Sequence, residues 1–300
     1  MKILLTGSNG LLGQKLVALL SENPQIELIA TARGANRLPQ TERYTYESLD
    51  ITQRQQVMDC ITRHAPDAVI HTAAMTNVDQ CETEQEACQQ LNVEAVRYLI
   101  EACEQTNSFL LHLSTDFIFD GAAGPYAEEA EASPISFYGE SKLQAEELVR
   151  KANCPCAIAR TVLVYGIAHD MSRSNIILWV KNNLEAGKSI QVVTDQFRTP
   201  TLAEDLAMGC YLIVSQKAQG IFNISGDDFL TPYEMAQQTA EFFQLDASLI
   251  KAADSSTFQQ TAKRPARTGF ILDKAKRVLG YTPHTFKEGI AMVAQQMQRA

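Results

Sequence analysis

At 300 residues, 45% of them hydrophobic, the chain is long enough for one large α/β domain with an added lobe, and its composition excludes a disordered chain. Thirty-five acidic residues against 26 basic ones leave a net charge of −9, which argues against a general nucleic-acid binder, and no apolar run is long enough to span a bilayer. The seven cysteines (Cys60, Cys81, Cys88, Cys103, Cys154, Cys156 and Cys210) are odd in number and scattered through apolar or helical contexts with no secretory leader before them, so a reducing, cytoplasmic setting is expected. Cys154-Pro155-Cys156 has no second pair at zinc-site spacing and precedes an apolar strand, so no metal site is expected.

The first predicted elements are a buried strand at 3–5, a turn with Gly7, Gly10 and Gly13 spaced three apart, and an amphipathic helix. Gly7 permits the tight turn, Gly10 lets the backbone approach a pyrophosphate, and Gly13 lets the helix pack closely on the strand. The phosphates would sit on free N–H groups at Leu11, Leu12 and Gly13, where the helix dipole favours negative charge. This is a dinucleotide fingerprint, with the G-x-x-G-x-x-G spacing of short-chain dehydrogenases.

A second strand is expected at 26–32. Its end carries Thr31-Ala32-Arg33-Gly34, with Arg37 close behind and no acid between Glu27 and Glu42. A carboxylate there would hold the ribose 2′-hydroxyl of NAD, whereas an arginine pairs with a 2′-phosphate. NADP(H) is therefore favoured, with NAD(H) as the alternative. A short strand at 44–49 runs into Asp50 and Ile51, which suit an adenine amino group and ring; capping of the polar helix at 53–64 by Asp50 or Thr52 is the competing role.

The fourth strand and its exit, at 66–74, end in Ala73 and Ala74, small enough to leave room for a cofactor ribose. His71 lies inside that strand with no Ser or Asp partner near in sequence, which favours a hydrogen-bonded core histidine over a catalytic one. Residues 77–86 read as a polar connection. Apolar positions at Ala87, Leu91, Ala95, Leu99 and Cys103 then predict a long buried helix over 87–106.

The fifth strand, at 109–113, ends in Ser114-Thr115-Asp116, and a mobile acidic loop is expected as far as residue 132. Tyr138 and Lys142 follow, one helical turn apart and on the same face. A hydroxyl at a strand end with a Tyr and a Lys at i and i+4 forms a carbonyl-reduction apparatus. Adding hydride to a ketone leaves an oxyanion that needs a proton, and Tyr138 is the expected donor. Lys142 is expected to lower the phenol pKa and bind a ribose hydroxyl, and Thr115 to position the substrate oxygen.

These residues, in this order, resemble the extended short-chain dehydrogenase/reductases, and within them the dTDP-4-dehydrorhamnose reductase-like branch, over nearly the full chain. The matching motifs are Gly7 to Gly13, His71 to Asp79, Asn92-Val93, Ser114 to Gly121, Tyr138 to Lys142, Arg160-Thr161, Asp195-Gln196-Phe197, Thr199-Pro200-Thr201 and Arg264-Pro265. The resemblance implies a doubly wound parallel Rossmann sheet over 1–165 and a smaller, interleaved substrate lobe over 166–300, with the strand near 220–224 returning to the main sheet. It also implies catalytic roles for Thr115, Tyr138 and Lys142, and a substrate with a 4-keto group on a nucleotide-linked deoxysugar. Where relatives usually carry tryptophan this chain has Leu163, as does, in aliphatic form, the related regulatory subunit of methionine adenosyltransferase. A cofactor-binding regulatory subunit, or an epimerase or dehydratase, is thus the alternative. A homodimer is carried as an expectation.

Further along, helices are expected at 176–185, 200–212 and from Thr231, and strands at 156–161, continuing to 166, and at 190–194. The basic cluster Lys263-Arg264-Pro265-Ala266-Arg267 could clamp a nucleotide diphosphate, Arg264 rather than Arg267 being the expected ligand and Arg198 a second. Asp116 is grouped with Thr115, Arg198 and Arg264 on the substrate side.

Overall fold

The apolar run before the first glycine can bury side chains on both faces, and the computed structural model, which describes residues 1–39, 42–170 and 175–298, makes it an inner strand of a seven-stranded parallel sheet. The strands in chain order are β1 (Lys2–Thr6), β2 (Glu27–Ala32), β3 (Thr45–Ser48), β4 (Ala68–His71), β5 (Phe109–Thr115), β6 (Cys156–Thr161), β7 (Val164–Tyr165), β8 (Ile190–Val193), β9 (Thr201–Leu202), β10 (Gly220–Asn223) and β11 (Ile250–Ala253). The sheet runs β10-β6-β5-β4-β1-β2-β3. Its order therefore reverses between β1 and β4, and ligands of open α/β sheets bind beyond the carboxyl ends at such a point.

The helices are α1 (Leu11–Ser21), α2 (Arg54–His64), α3 (Val78–Thr83), α4 (Gln85–Gln89), α5 (Ala95–Thr106), α6 (Phe137–Arg150), α7 (Ile176–Glu185), α8 (Ala203–Ser215), α9 (Pro232–Phe242), α10 (Asp273–Leu279) and α11 (Phe286–Met297). Alternate residues of each strand divide between two cores. Ile3, Leu5, Leu28, Ile70 and Leu111 meet α1 and α8, whereas Leu4, Ile29, Val69 and Leu110 meet α2, α5 and α6. Both α8 and β10 thus return from the second half of the chain to the main sheet. A smaller unit packs α7 and α9 on the parallel pair β8–β11 around Val180, Ile190, Ala236 and Ile250. A full capping box, Thr231 with Glu234, starts α9 as its sequence predicts.

Four expectations are corrected. Residues 77–86 are helical rather than a plain connection: Asn77 caps α3 and α4 follows at once. The helix over 87–106 is broken by a π-helical segment, Gln90–Glu94, which turns Asn92 into the interior. Strand β6 does not continue to 166, because Leu163 takes a left-handed φ of 36° and β7 pairs with β9 instead. The segment expected as a helix from 200 likewise begins as β9.

The acidic loop to residue 132 is pinned rather than loose. Tyr126 stacks on Phe119 with ring centroids 4.1 Å apart, and the buried Glu128 accepts the Asn223 N–H at 3.0 Å. The Glu128 carbonyl accepts from Arg160 at 2.9 Å, and Arg160 also forks the fully buried Glu146 of α6 at 2.9 and 2.7 Å. Removing one partner of this pair strands a charge in the core. Arg160→Met is expected to lose about 3–5 kcal/mol in urea unfolding, and the double variant with Glu146→Met to regain most of it; an equal loss in both would contradict the pairing.

Candidate active site

At the glycine turn Gly7 has φ 75°, and a Cβ on Gly13 would lie 2.1 Å from the Gly7 carbonyl oxygen, so strand and helix touch backbone to backbone. Gly10 is exposed and caps α1 without any side-chain bond, leaving the N–H groups of the first turn around Leu11 and Leu12 turned outward. Beside them the Ser8 hydroxyl is buried with no partner among the described residues. A cradle with no Cβ, uncapped donors and an orphaned hydroxyl fits a dinucleotide diphosphate.

Asn9, which the sequence argument did not single out, holds the neighbouring loop. Its amide donates to the Ala35 carbonyl at 2.8 Å and accepts from the Arg37 N–H at 3.0 Å, while Tyr46 donates to the Ala32 and Gly34 carbonyls. Arg33 is thereby displayed, exposed, at the end of β2. Asp50 does not cap α2: its carboxylate accepts the Thr52 N–H and hydroxyl at 3.0 and 2.7 Å in a local turn, and Gln53 stands at the N-cap position without a side-chain capping bond. Ile51 is buried beside it, and Ala73 and Ala74 are half-buried at the exit of β4.

Thr115 closes β5, and Tyr138 and Lys142 come from α6 above it. A Cβ on Gly139 would lie 2.2 Å from the Phe117 carbonyl oxygen, so the first turn of α6 rests directly on the residues after Thr115. Ser136 caps that helix, and Glu82 of α3 accepts the Phe137 N–H at 2.8 Å. The Thr115 hydroxyl neighbours the Tyr138 phenol and donates to the Asp116 carboxylate at 3.1 Å, and the Phe117 ring meets the Tyr138 ring edge to face at 5.7 Å. Lys142, 4% exposed, donates to the Leu113 carbonyl at 2.6 Å and to His112 Nε2 at 3.2 Å. Asn92 joins the parts: its amide donates to the Met75 carbonyl and the Ser141 hydroxyl, both at 3.1 Å, and accepts the Met75 N–H at 2.8 Å. A polar residue inside an apolar-periodic helix was the available signal for Asn92.

Burial dominates the electrostatics of the site. Burial is the largest influence on Tyr138 and pushes its phenol above the ordinary range; the Thr115 hydrogen bond opposes this, and Asp116, Cys81 and Cys88 add to it. The Lys142 amine itself is directed to the Leu113 carbonyl and to His112. Burial also lowers Lys142 to about 8, against the raising influence of Glu146 and Cys88. His71 is the core histidine that its sequence context suggested: buried, 2.7 Å from the Thr6 hydroxyl and lowered to about 3, chiefly by burial.

Beyond Thr115, Asp116 and Arg198 face each other 3.7 Å apart inside the protein. Asp116 bonds the Thr115 and Thr268 hydroxyls, and burial raises its carboxyl despite Arg198. Arg198 donates to the Phe197, Ala266 and Pro265 carbonyls. Arg264 forks Asp79 at 3.2 and 2.7 Å, whereas the exposed Arg267 lies over the rings of Phe197 and Phe229 at 4.6 and 5.1 Å. Leu163 is exposed, in its left-handed conformation.

Elsewhere Glu47, Cys60 and His64 bring a carboxylate, a thiol and an imidazole within 4.8 Å of one another. Arg63 forks Glu47 at 3.1 and 2.5 Å, setting a positive charge where a cation would sit, and burial pushes the Cys60 thiol up to about 12. That cluster is closed as an ion pair.

Residues 1–299 match the family model described as the RmlD substrate binding domain. The chain belongs to that family. Within it, the dTDP-4-dehydrorhamnose reductase of Aggregatibacter actinomycetemcomitans is 30% identical over 301 residues, covering 96% of this chain and 97% of that protein. Methionine adenosyltransferase 2 subunit beta of Mus musculus is 30% identical over 295 residues, covering 96% and 86%. The crystal structure of the Bacillus anthracis dTDP-4-dehydrorhamnose reductase in complex with NADP superposes with a TM-score of 0.85 at 25% identity, covering 98% and 99%. Like this one, the family's fold is an extended short-chain dehydrogenase/reductase with a Rossmann-type sheet.

The Gly139 contact yields a direct test. In Gly139→Ala the added methyl must push α6 off Phe117, so a loss of about 1–3 kcal/mol of stability is expected, with Tyr138 displaced from Thr115; unchanged thermal unfolding would contradict the contact.

Proposed function

We propose that this protein is an NADP-dependent reductase of a 4-keto group on a nucleotide-linked deoxysugar, with dTDP-4-dehydrorhamnose as the substrate to try first. What carries the reading is a pair of neighbouring hydroxyls, Thr115 and Tyr138, one helical turn from a buried ammonium at the carboxyl end of β5. The names of the bacterial relatives supply the substrate class. Seven free thiols suit a reducing compartment.

NADPH, when bound, supplies the hydride. Gly7, Gly10, Leu11, Leu12 and Gly13 would hold its diphosphate, Arg33 its 2′-phosphate, Asp50 and Ile51 its adenine, and Ala73, Ala74, Tyr138 and Lys142 its nicotinamide ribose. Thr115 donates a hydrogen bond to the substrate carbonyl oxygen. Tyr138 gives its proton to that oxygen as negative charge develops there; a phenol held in its protonated form by burial is present as an acid throughout the neutral range. Asp116 and Arg198 keep Thr115 and the 265–268 segment in register. Arg264, held by Asp79, and Arg267, displayed over two rings, are the cations for the nucleotide phosphates.

A cofactor-binding regulatory subunit is the second reading, favoured by the likeness to the mouse beta subunit and by Leu163 standing where relatives usually carry tryptophan. Turnover separates the two. With NADPH and a dTDP-4-keto-6-deoxy sugar, Tyr138→Phe is expected to lower kcat by about 10²–10⁴ while leaving NADPH affinity within a few-fold. Tight NADPH binding with no oxidation on a panel of ketosugars would favour the second reading. Arg33→Ala is expected to weaken NADPH on the order of tenfold to a hundredfold and leave NADH unchanged; equal losses for both would remove Arg33 from the 2′-phosphate.

A further inference from the structure

A row of polar side chains crosses the carboxyl end of the sheet in register. Thr6 of β1 pairs with His71 of β4, and His71 pairs with His112 of β5. The two imidazoles stack with centroids 5.4 Å apart and planes 26° from parallel, and the row ends on Lys142. These side chains lie on the face of the sheet that carries α5 and α6, among apolar neighbours.

The geometry points to His112 as a positioning residue for Lys142, holding the ammonium in the cofactor cleft through its unprotonated Nε2; this rests on the proposed reductase function only in assigning the cleft to NADPH. An ammonium has donors and no acceptor, so the bond to Nε2 requires the ring proton to be on Nδ1. That Nδ1 is buried with no partner among the described residues. A leucine would fill the position without stranding a donor, so what the imidazole adds there is its acceptor. Burial, with the Lys142 charge next in size, holds His112 well below its ordinary value, which keeps it neutral and able to accept. Thr6 and the stacked His71 fix the ring behind it.

The groups facing Lys142 are Tyr138 and Glu146 on its own helix, Cys88 from α4, His112 from β5 and His71 behind it; Glu146 is itself forked by Arg160 of β6. A neutral acceptor favours the charged amine, so its loss lets Lys142 discharge at lower pH.

The test follows NADPH binding by fluorescence across neutral and alkaline pH in wild type, His112→Leu, His112→Gln and His112→Asn. Wild-type affinity should fall as pH rises through about 8, where Lys142 loses its proton. In His112→Leu the midpoint should move down by about one unit, seen as roughly fivefold weaker binding at the wild-type midpoint. Gln carries an oxygen near the Nε2 position and should restore the wild-type midpoint; Asn is too short to reach the amine and should not. The Gln and Asn variants decide the matter even if the Leu variant does not fold. A flat wild-type curve, one midpoint for all variants, or equal losses in Gln and Asn would overturn the assignment. Turnover on ketosugars is read separately, so absence of activity would count against the reductase and leave the binding midpoints to judge His112.

Discussion

An ammonium group kept inside the protein is the constraint that orders this site. Lys142 has lost nearly all contact with water, and such a charge is tolerated only where fixed acceptors replace the lost hydration. The Leu113 carbonyl and the His112 ring do so, and both belong to β5, so α6 can seat its lysine in only one place. Once the lysine is seated, Tyr138 lies one turn earlier over Thr115. Gly139 on Phe117 and Asn92 between Met75 and Ser141 hold the helix at that height.

The same end of the sheet ties the two halves of the chain together. Asp116 follows Thr115 directly, and its carboxylate reaches Thr268 and Arg198, whose own donors are spent on carbonyls of residues 197, 265 and 266. The residue that closes β5 is therefore continuous with the basic segment beyond it. The loop through Tyr126 and Glu128 adds a second tie, to β10 and to the Glu146–Arg160 pair beneath Lys142. Thr115, Asp116, Thr268 and Arg198 thus share one connected polar interior.

Much of this was legible in the sequence wherever a local rule carried the information. The glycine spacing, the strand periodicities and the Tyr-x-x-x-Lys step depend on residues close together in the chain, and the return of the strand at 220–224 followed from the family resemblance. What escaped depended on distant contacts. Nothing local marks Glu128 as buried, because its partners are Asn223 and Arg160; Asn92 belonged to a matching motif, but the π segment that turns it inward is announced by no periodicity. The partners of the Lys142 amine were hidden for the same reason, since its acceptors come from another element. Asp116 and Arg198 read as substrate contacts when taken singly; in the fold they also lie 3.7 Å apart inside the protein.

The claim at the centre of this account is that reduction takes place beside Tyr138, with hydride arriving from the cofactor side of the cleft. The most direct measurement is to turn over a dTDP-4-keto-6-deoxy sugar with NADPH deuterated at the transferable position of nicotinamide C4 and to locate the label by NMR. One deuterium at C4 of the sugar product, with one NADPH oxidised per sugar, is the result predicted. Label that stays in the nucleotide, or enters the sugar at another carbon, would contradict it.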